Sequence, residues 1–307
     1  MNASAGPLPN FLIIGAARTG TSSLFEYMRQ HPDIYFSPVK EPMYFAMDGR
    51  KPDFRGPGDD KEINRKAVSD LAAYQALFAG AQGRKAIGEA SANYLYSEVA
   101  AANIHAVIPD ARLIAVLRNP VERAYSSFLY MIRDRREPLR DFGQALAEEP
   151  RRIREHWEHI WHYAGMGFYH QQLQRYYARF DKSRIRVYLN EDMKKDAPGL
   201  LKDVFGFLDV DDGFAPDTSV TYNEGGVPKR KLLNAVLTRP SVFKRLLRPL
   251  MPAAAMKFYT RLKHSNLDKP PLDPEVRANL VALYRDDVLR LQDLIGRDLS
   301  SWLADKP

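Results

Sequence analysis

Short apolar runs rich in β-branched residues recur along the chain and alternate with amphipathic stretches. Phe11-Leu-Ile-Ile-Gly15 is the first, and its period and its terminal glycine predict a buried strand. A helical pattern follows over 21–30, with Leu24, Tyr27 and Met28 on one face, and His31-Pro32 stops it. Ile34–Ser37, Lys85–Glu89, Ala111–Leu117 and Arg184–Leu189 read as further strands. Helices are expected after Pro120 and over 199–208. Residues 48–60, rich in Gly, Pro and charge, read as a mobile loop. Strands alternating with helices predict an α/β fold, a parallel sheet flanked by helices on both faces. No repeat, low-complexity tract or linker interrupts the chain, so residues 1–307 are expected to form one domain.

Composition narrows the chemistry. Hydrophobic residues make up 45% and charged residues 27%, enough apolar content for a large core. With no cysteine, disulfides, a thiolate nucleophile and thiolate metal sites are excluded. No apolar run approaches the ~20 residues of a membrane span. The opening residues lack a basic signal-peptide region, so a cytoplasmic location is expected. The net charge of +7 points to an anionic partner if local motifs supply a site for one.

They do, twice. Gly15-Ala-Ala-Arg18-Thr19-Gly20-Thr21-Ser22 joins the first strand to its helix, with its glycines five apart as in a phosphate-binding loop. Thr19, Thr21, Ser22 and Ser23 offer hydroxyls, and Gly20 allows close backbone approach. A nucleoside-triphosphate loop carries lysine after its second glycine. Here that place is Thr21, and the cation sits inside the loop as Arg18. The second motif is Arg118-Asn119-Pro120 with Arg123, Ser126 and Phe128, after the strand ending at Leu117. Arg118 at a strand's C-terminal end and Ser126 two turns into the next helix can share a phosphate. Together the motifs imply a nucleotide phosphorylated at two separate positions, a 3′,5′-bisphosphate.

These two segments make the chain resemble the sulfotransferases that use 3′-phosphoadenosine 5′-phosphosulfate (PAPS), the family that includes the heparan sulfate sulfotransferases. Arg18-Thr19-Gly20-Thr21-Ser22 resembles the family's 5′-phosphosulfate loop, and Arg118 and Ser126 match its 3′-phosphate ligands. Further likeness lies in His31 to Phe45, Gly88-Glu89-Ala-Ser91-Ala-Asn93-Tyr94, Tyr188 to Met193, and Gly296 to Trp302. The resemblance implies a P-loop-like sulfotransferase fold and sulfonate transfer from PAPS to an acceptor hydroxyl or amine, with no metal required. It implies Glu41 as general base and Arg18 as stabiliser of the leaving phosphate. The family commonly has lysine where Arg18 stands, so Lys40 is expected to share that electrostatic work. A 5′-phosphosulfate has no γ-phosphate, which suits a loop without the P-loop lysine. The acceptor class expected is a glycan, a glycolipid or a small metabolite.

Two segments lie beyond the motifs. His156, His159 and His162 at helical spacing spread over about 120° of a helix, which predicts no metal site, and Trp157, Trp161 and Tyr163 suggest a helix that either lines a cleft for a sugar-like acceptor or packs on the domain. Residues 225–267 contain no acidic residue. Lys229 and Arg230 are the first candidates for a basic loop closing over the nucleotide, with Lys269 as an alternative. The rest of that stretch is a candidate for peripheral contact with the inner face of a membrane. Nucleic-acid binding is not expected, since no reading motif is present. A small-molecule P-loop kinase is the alternative enzyme, and a membrane-surface module without catalysis is the alternative outside enzymes.

Overall fold

The structure, a computed structural model, describes residues 7–47, 49–220, 222, 226–228 and 267–304. A parallel five-stranded sheet holds β1 (Phe11–Gly15), β2 (Ile34–Phe36), β3 (Ala86–Ala90), β4 (Arg112–Leu117) and β5 (Ile185–Leu189) in the order β2-β3-β1-β4-β5. The central strand places Phe11 beside Gly88 of β3 on one side and Arg112 of β4 on the other. The helices are α1 (Thr21–Met28), α2 (Leu71–Ala76), α3 (Ala100–Val107), α4 (Pro120–Arg133) and α5 (Phe142–Ala147) in the first half. They continue with α6 (Glu149–Arg154), α7 (Tyr169–Tyr177), α8 (Asn190–Lys195), α9 (Ala197–Phe207) and α10 (Pro274–Ile295). A two-residue antiparallel pair joins β6 (Val227–Pro228) to β7 (Leu267–Asp268).

The period-two alternation of the strands divides the core into two layers. Phe11 and Ile13 of β1, with Ile114 and Val116 of β4, pack under α1 and α9. Leu12, Ile14, Leu113 and Ala115 point the other way, against α3, α4, α7 and α10. Gly88 keeps β3 close to β1, because a Cβ there would lie 2.5 Å from the Phe11 ring. Local chemistry sets the helix starts. The Asn119 side chain accepts from the amides of Val121 and Glu122, and Pro120 opens α4. Asp273 and Pro274 begin α10 in the same way, and Gly296 in the left-handed region ends it.

The segment expected to be a mobile loop, 48–60, is pinned at its end. Asp59 is fully buried and accepts from the amides of Gly56 (2.8 Å) and Glu158 (2.9 Å) and the Trp161 indole (3.1 Å), and it pairs with Arg136. A buried carboxylate with this many donors anchors its loop whatever the local Gly and Pro content. Among the described residues, no helix is long and apolar enough to cross a membrane.

Candidate functional site

In an open parallel sheet, ligands bind where the loops from adjacent strands diverge. Here the chain leaves β1 toward β2 and leaves β4 toward β5, so that point lies between β1 and β4. Both motifs stand there. The Arg118 guanidinium donates to the Arg18 carbonyl at 3.3 Å, and the Arg18 guanidinium reaches Ser126 Oγ at 3.5 Å. Arg18 also lies over the ring of Tyr130, 4.6 Å from its centroid. A cleft of about 690 Å³ opens beside them. Arg18, Gly20, Thr21, Ser22, Ser23, Arg118 and Ser126 all line it.

Gly20 meets a real steric demand. Its φ is +109°, and a Cβ would sit 2.4 Å from Met193 Cε and 2.8 Å from Asn190 Nδ2. Arg18 and Glu41 have φ of 69° and 57°, a left-handed conformation that non-glycine residues adopt at a cost of about 1–3 kcal/mol.

The hydroxyls of the loop divide by role. Thr19 is fully buried, and its Oγ lies 2.7 Å from the Ala16 carbonyl and 2.6 Å from that of Val116. Its hydroxyl therefore points into the fold and is not the ligand donor expected from the sequence. Ser23 accepts the Tyr222 amide at 3.0 Å, which ties residue 222 to α1. Lys40 Nζ donates to Ser22 Oγ at 2.6 Å and lies 4.0 Å from Glu41 Oε1. The proposed base segment and the phosphate loop are thus in contact. Lys229 and Arg230 lie outside the described residues, as does most of the basic stretch 225–267. Lys269 pairs with Glu122 at 2.5 Å, and Glu122 also takes Arg277 at 2.6 Å and sits 3.8 Å from Arg118. Burial works against ionisation of Glu122, but the bonds from Lys269 and Arg277 outweigh it and hold its carboxyl down at about 2.

Positive charge is concentrated in this cleft. Besides Arg18 and Arg118, α8 brings Lys194 and Lys195 to it, against Asp196, the one carboxylate among the described lining residues, which caps the Gly199 amide at 2.9 Å. Burial, then Arg133, lowers Arg18 to about 10, with a smaller like-charge contribution from Arg118. Burial also lowers Arg118, and burial followed by Arg118 lowers Lys194. Arg18, Arg118 and Lys194 are destabilised by desolvation, and Arg18 and Lys194 by like charge as well, a cost that an anionic ligand offsets. Glu41 keeps 39% of its side-chain surface open, yet the surrounding protein raises its carboxyl above the ordinary value. Lys40, then Arg18 and Lys66, act against that rise.

Sequence reading missed Tyr130 and the α8 residues Asn190, Lys194 and Lys195. The signal available for α8 was its place directly after β5, at the same edge of the sheet as Arg18 and Arg118. The stacking of Tyr130 on Arg18 has no sequence signal, because 112 positions separate the two residues.

A second cleft of about 750 Å³ holds all three of the histidines at 156, 159 and 162. The helix expected there is absent: α6 ends at Arg154, His156 has φ 59°, and His159–Trp161 is a 3₁₀ turn. That reversal gathers the rings instead of spreading them. The His159 and His162 centroids are 5.6 Å apart, and Phe54 stacks on His156 at 5.0 Å. Tyr96 Oη lies 3.0 Å from His162 Nδ1. Burial, then the neighbouring His162, lowers His159 to about 3, and burial lowers His162 to about 4, so both rings are neutral near pH 7. Among the described residues, no group of His, Asp or Glu is arranged to hold a metal ion. Of the two places the sequence left open for Trp157 and Trp161, an acceptor cleft or packing on the domain, the structure has the second. Trp161 is fully buried on Asp59, and Trp157 packs against the guanidiniums of Arg151 and Arg152. Phe54, Tyr96 and Phe168 are the aromatic residues that line this cleft.

Residues 9–214 match the model of a sulfotransferase family. The chain is similar to a solved sulfotransferase from Alicyclobacillus acidocaldarius, at 35% identity and TM-score 0.78 over 97% of this chain and 100% of that one. It is also similar to the human carbohydrate sulfotransferase 15, 35% identical over 40% of this chain. A mouse bifunctional heparan sulfate N-deacetylase/N-sulfotransferase 4 is 25% identical over 96% of it. The aligned regions are 27% and 31% of the length of those two curated relatives.

Proposed function

The chain belongs to the sulfotransferase family, and from that premise we propose that it moves a sulfonate group from PAPS to an acceptor hydroxyl or amine. The observation that carries this reading is the junction of the two motifs. Arg18, on the loop after β1, touches both Arg118 from the β4–α4 turn and Ser126 from α4, beside one cation-rich cleft. Such a cleft suits a nucleotide with phosphates at two places, one on each loop. Thr21 in the place of the P-loop lysine speaks against the kinase alternative.

In the reaction, the acceptor oxygen or nitrogen bonds to sulfur as the bond from sulfur to the bridging oxygen breaks. The products are the sulfated acceptor and 3′-phosphoadenosine 5′-phosphate. Glu41 takes the acceptor's proton, and its raised affinity for protons makes it a stronger base than an ordinary carboxylate. Arg18, fixed on Tyr130, stabilises charge on the departing phosphate, and Lys40 bridges Ser22 of the loop to Glu41. Arg118 and Ser126 hold the 3′-phosphate. The amides and hydroxyls of Gly20, Thr21, Ser22 and Ser23 surround the 5′ side, with Thr19 contributing backbone only.

The second cleft is the place proposed for the acceptor. Neutral imidazoles, the amides of Gln171 and Gln172 and the rings of Phe54 and Tyr96 form a lining that suits a sugar, with polar groups for hydroxyls and aromatic faces for ring C–H. The similarity to a carbohydrate sulfotransferase and a heparan sulfate sulfotransferase favours a glycan.

The test is transfer of labelled sulfonate from PAPS to a panel that includes desulfated heparan sulfate, with and without Glu41→Gln. Label is expected in a glycan with the wild type and to be lost with the variant. Equal transfer by the variant removes Glu41 as base. Label in no member of the panel, together with phosphate transfer from ATP and magnesium, returns the kinase reading.

A further inference from the structure

Glu89 is the penultimate residue of β3 and is 1% exposed. Three hydroxyls surround its carboxyl. Ser91 donates to Oε2 at 2.9 Å, Tyr74 to Oε1 at 3.3 Å, and the Tyr94 hydroxyl also bonds to it. Two of these oxygens have a second task. Ser91 Oγ accepts the Met43 amide at 3.1 Å, and Tyr94 Oη accepts the Phe45 amide at 3.4 Å. The Glu41 amide donates to the Ala90 carbonyl at 3.1 Å. Alternate amides of the segment 41–45 are therefore all held by the end of β3. Within that segment Glu41 and Met43 have φ of 57° and 62°, a conformation that persists only where neighbours impose it.

A hydroxyl has one hydrogen and can turn it toward any acceptor. A buried carboxylate removes that freedom. We propose that Glu89 is a positioning residue for Glu41: it takes the hydroxyl hydrogens of Ser91 and Tyr94, turns their oxygens to the amides of Met43 and Phe45, and so fixes the left-handed segment that aims the Glu41 carboxylate. The inference rests on the reading of Glu41 as general base. The two carboxyls also sense each other. Burial raises Glu89 to about 7, its hydroxyl partners act against the rise, and the charge of Glu41 adds to it. The groups facing Glu89 are Tyr74 from α2, Ser91 and Tyr94 from its own strand end, and Glu41; those facing Glu41 are Lys40, Arg18 and Lys66.

The test uses the full chain with Ser91→Ala, Ser91→Thr and Glu89→Gln. Turnover is read as hydrolysis of labelled PAPS, with water as the acceptor probe, and donor-site integrity as calorimetric binding of 3′-phosphoadenosine 5′-phosphate. The Glu41 carboxyl is titrated by carbon-13 NMR. Displacement of a catalytic group by about 1 Å costs up to ~10²-fold, so Ser91→Ala and Glu89→Gln are expected to lower kcat by about 10-fold or more. Nucleotide affinity stays within about 2-fold, and Glu41 titrates nearer the ordinary carboxylate value as its segment loosens. Ser91→Thr, which keeps the hydroxyl, is expected to restore all three readings. Variants that lose thermal stability but keep wild-type kcat and the wild-type Glu41 titration overturn the proposal and leave Glu89 a packing residue. If Glu41→Gln alone keeps turnover, the base reading fails, and the Glu41 titration in Ser91→Ala still decides whether Glu89 fixes the segment.

Discussion

The guanidinium of Arg118 donates to the main-chain carbonyl of Arg18, a 3.3 Å contact across a hundred positions of sequence. Two loops that each suit one phosphate become one site through it. The guanidiniums they bring are partly buried, and Arg18 and, from α8, Lys194 are further depressed by like charge, so the free protein holds a site poised for anions.

Arg118→Ala is expected to weaken 3′-phosphoadenosine 5′-phosphate binding by about 10- to 100-fold, the loss of one charge-assisted contact of roughly 1.5–3 kcal/mol. Calorimetric titration without magnesium, with ATP as the comparison ligand, checks this. Unchanged affinity would place the 3′-phosphate elsewhere.

Tyr130 supports Arg18 by its ring face. Tyr130→Phe keeps that face and is expected to bind the same nucleotide as the wild type does. Tyr130→Ala removes a cation–π contact of about 0.5–2 kcal/mol and should weaken binding by about 2- to 30-fold. A Tyr130→Phe variant as weak as Tyr130→Ala would shift the role to the hydroxyl.

Burial holds His159 and His162 neutral in the folded protein, at about 3 and about 4 against an unfolded value of 6.5. The unfolded chain binds these protons first as the solution is acidified. The stability the pair supplies is therefore complete above pH 6.5 and is lost as pH falls through that value toward 3 to 4. Imidazole NMR shifts are expected to show both rings neutral at about pH 5.5, where an exposed histidine is mostly charged. Two ordinary titrations would remove this source of acid sensitivity.

Arg152 and Glu137 form a buried pair with two bonds, at 2.8 and 2.9 Å, and Tyr163 adds a third to the same carboxylate at 2.6 Å. Arg152→Leu leaves Glu137 charged and poorly compensated, so urea unfolding should show a loss of about 3–5 kcal/mol. A loss below about 1 kcal/mol would mean that the carboxylate takes up a proton or reaches water.

Much of the framework was legible in the sequence because it is set by local periodicity. The five strands stand within about two residues of the apolar runs, since a parallel strand covered on both faces must be continuously apolar. The loop after β1 and the turn after β4 were legible for a related reason: Gly20 answers a steric demand, and Asn119-Pro120 caps a helix. What only the tertiary structure decided was direction and company. Sequence counted Thr19 as a ligand hydroxyl, but the carbonyls of Ala16 and Val116 take it, the latter from another strand. It spread three histidines over a helix, whereas the left-handed turn at His156 gathers them in one cleft. It read 48–60 as loose, whereas Asp59 is held by partners about a hundred residues away. Local pattern specifies which face of an element is apolar. Which distant donor meets which acceptor depends on how those faces pack, and hydrogen bonds between segments far apart in the chain leave no period to read.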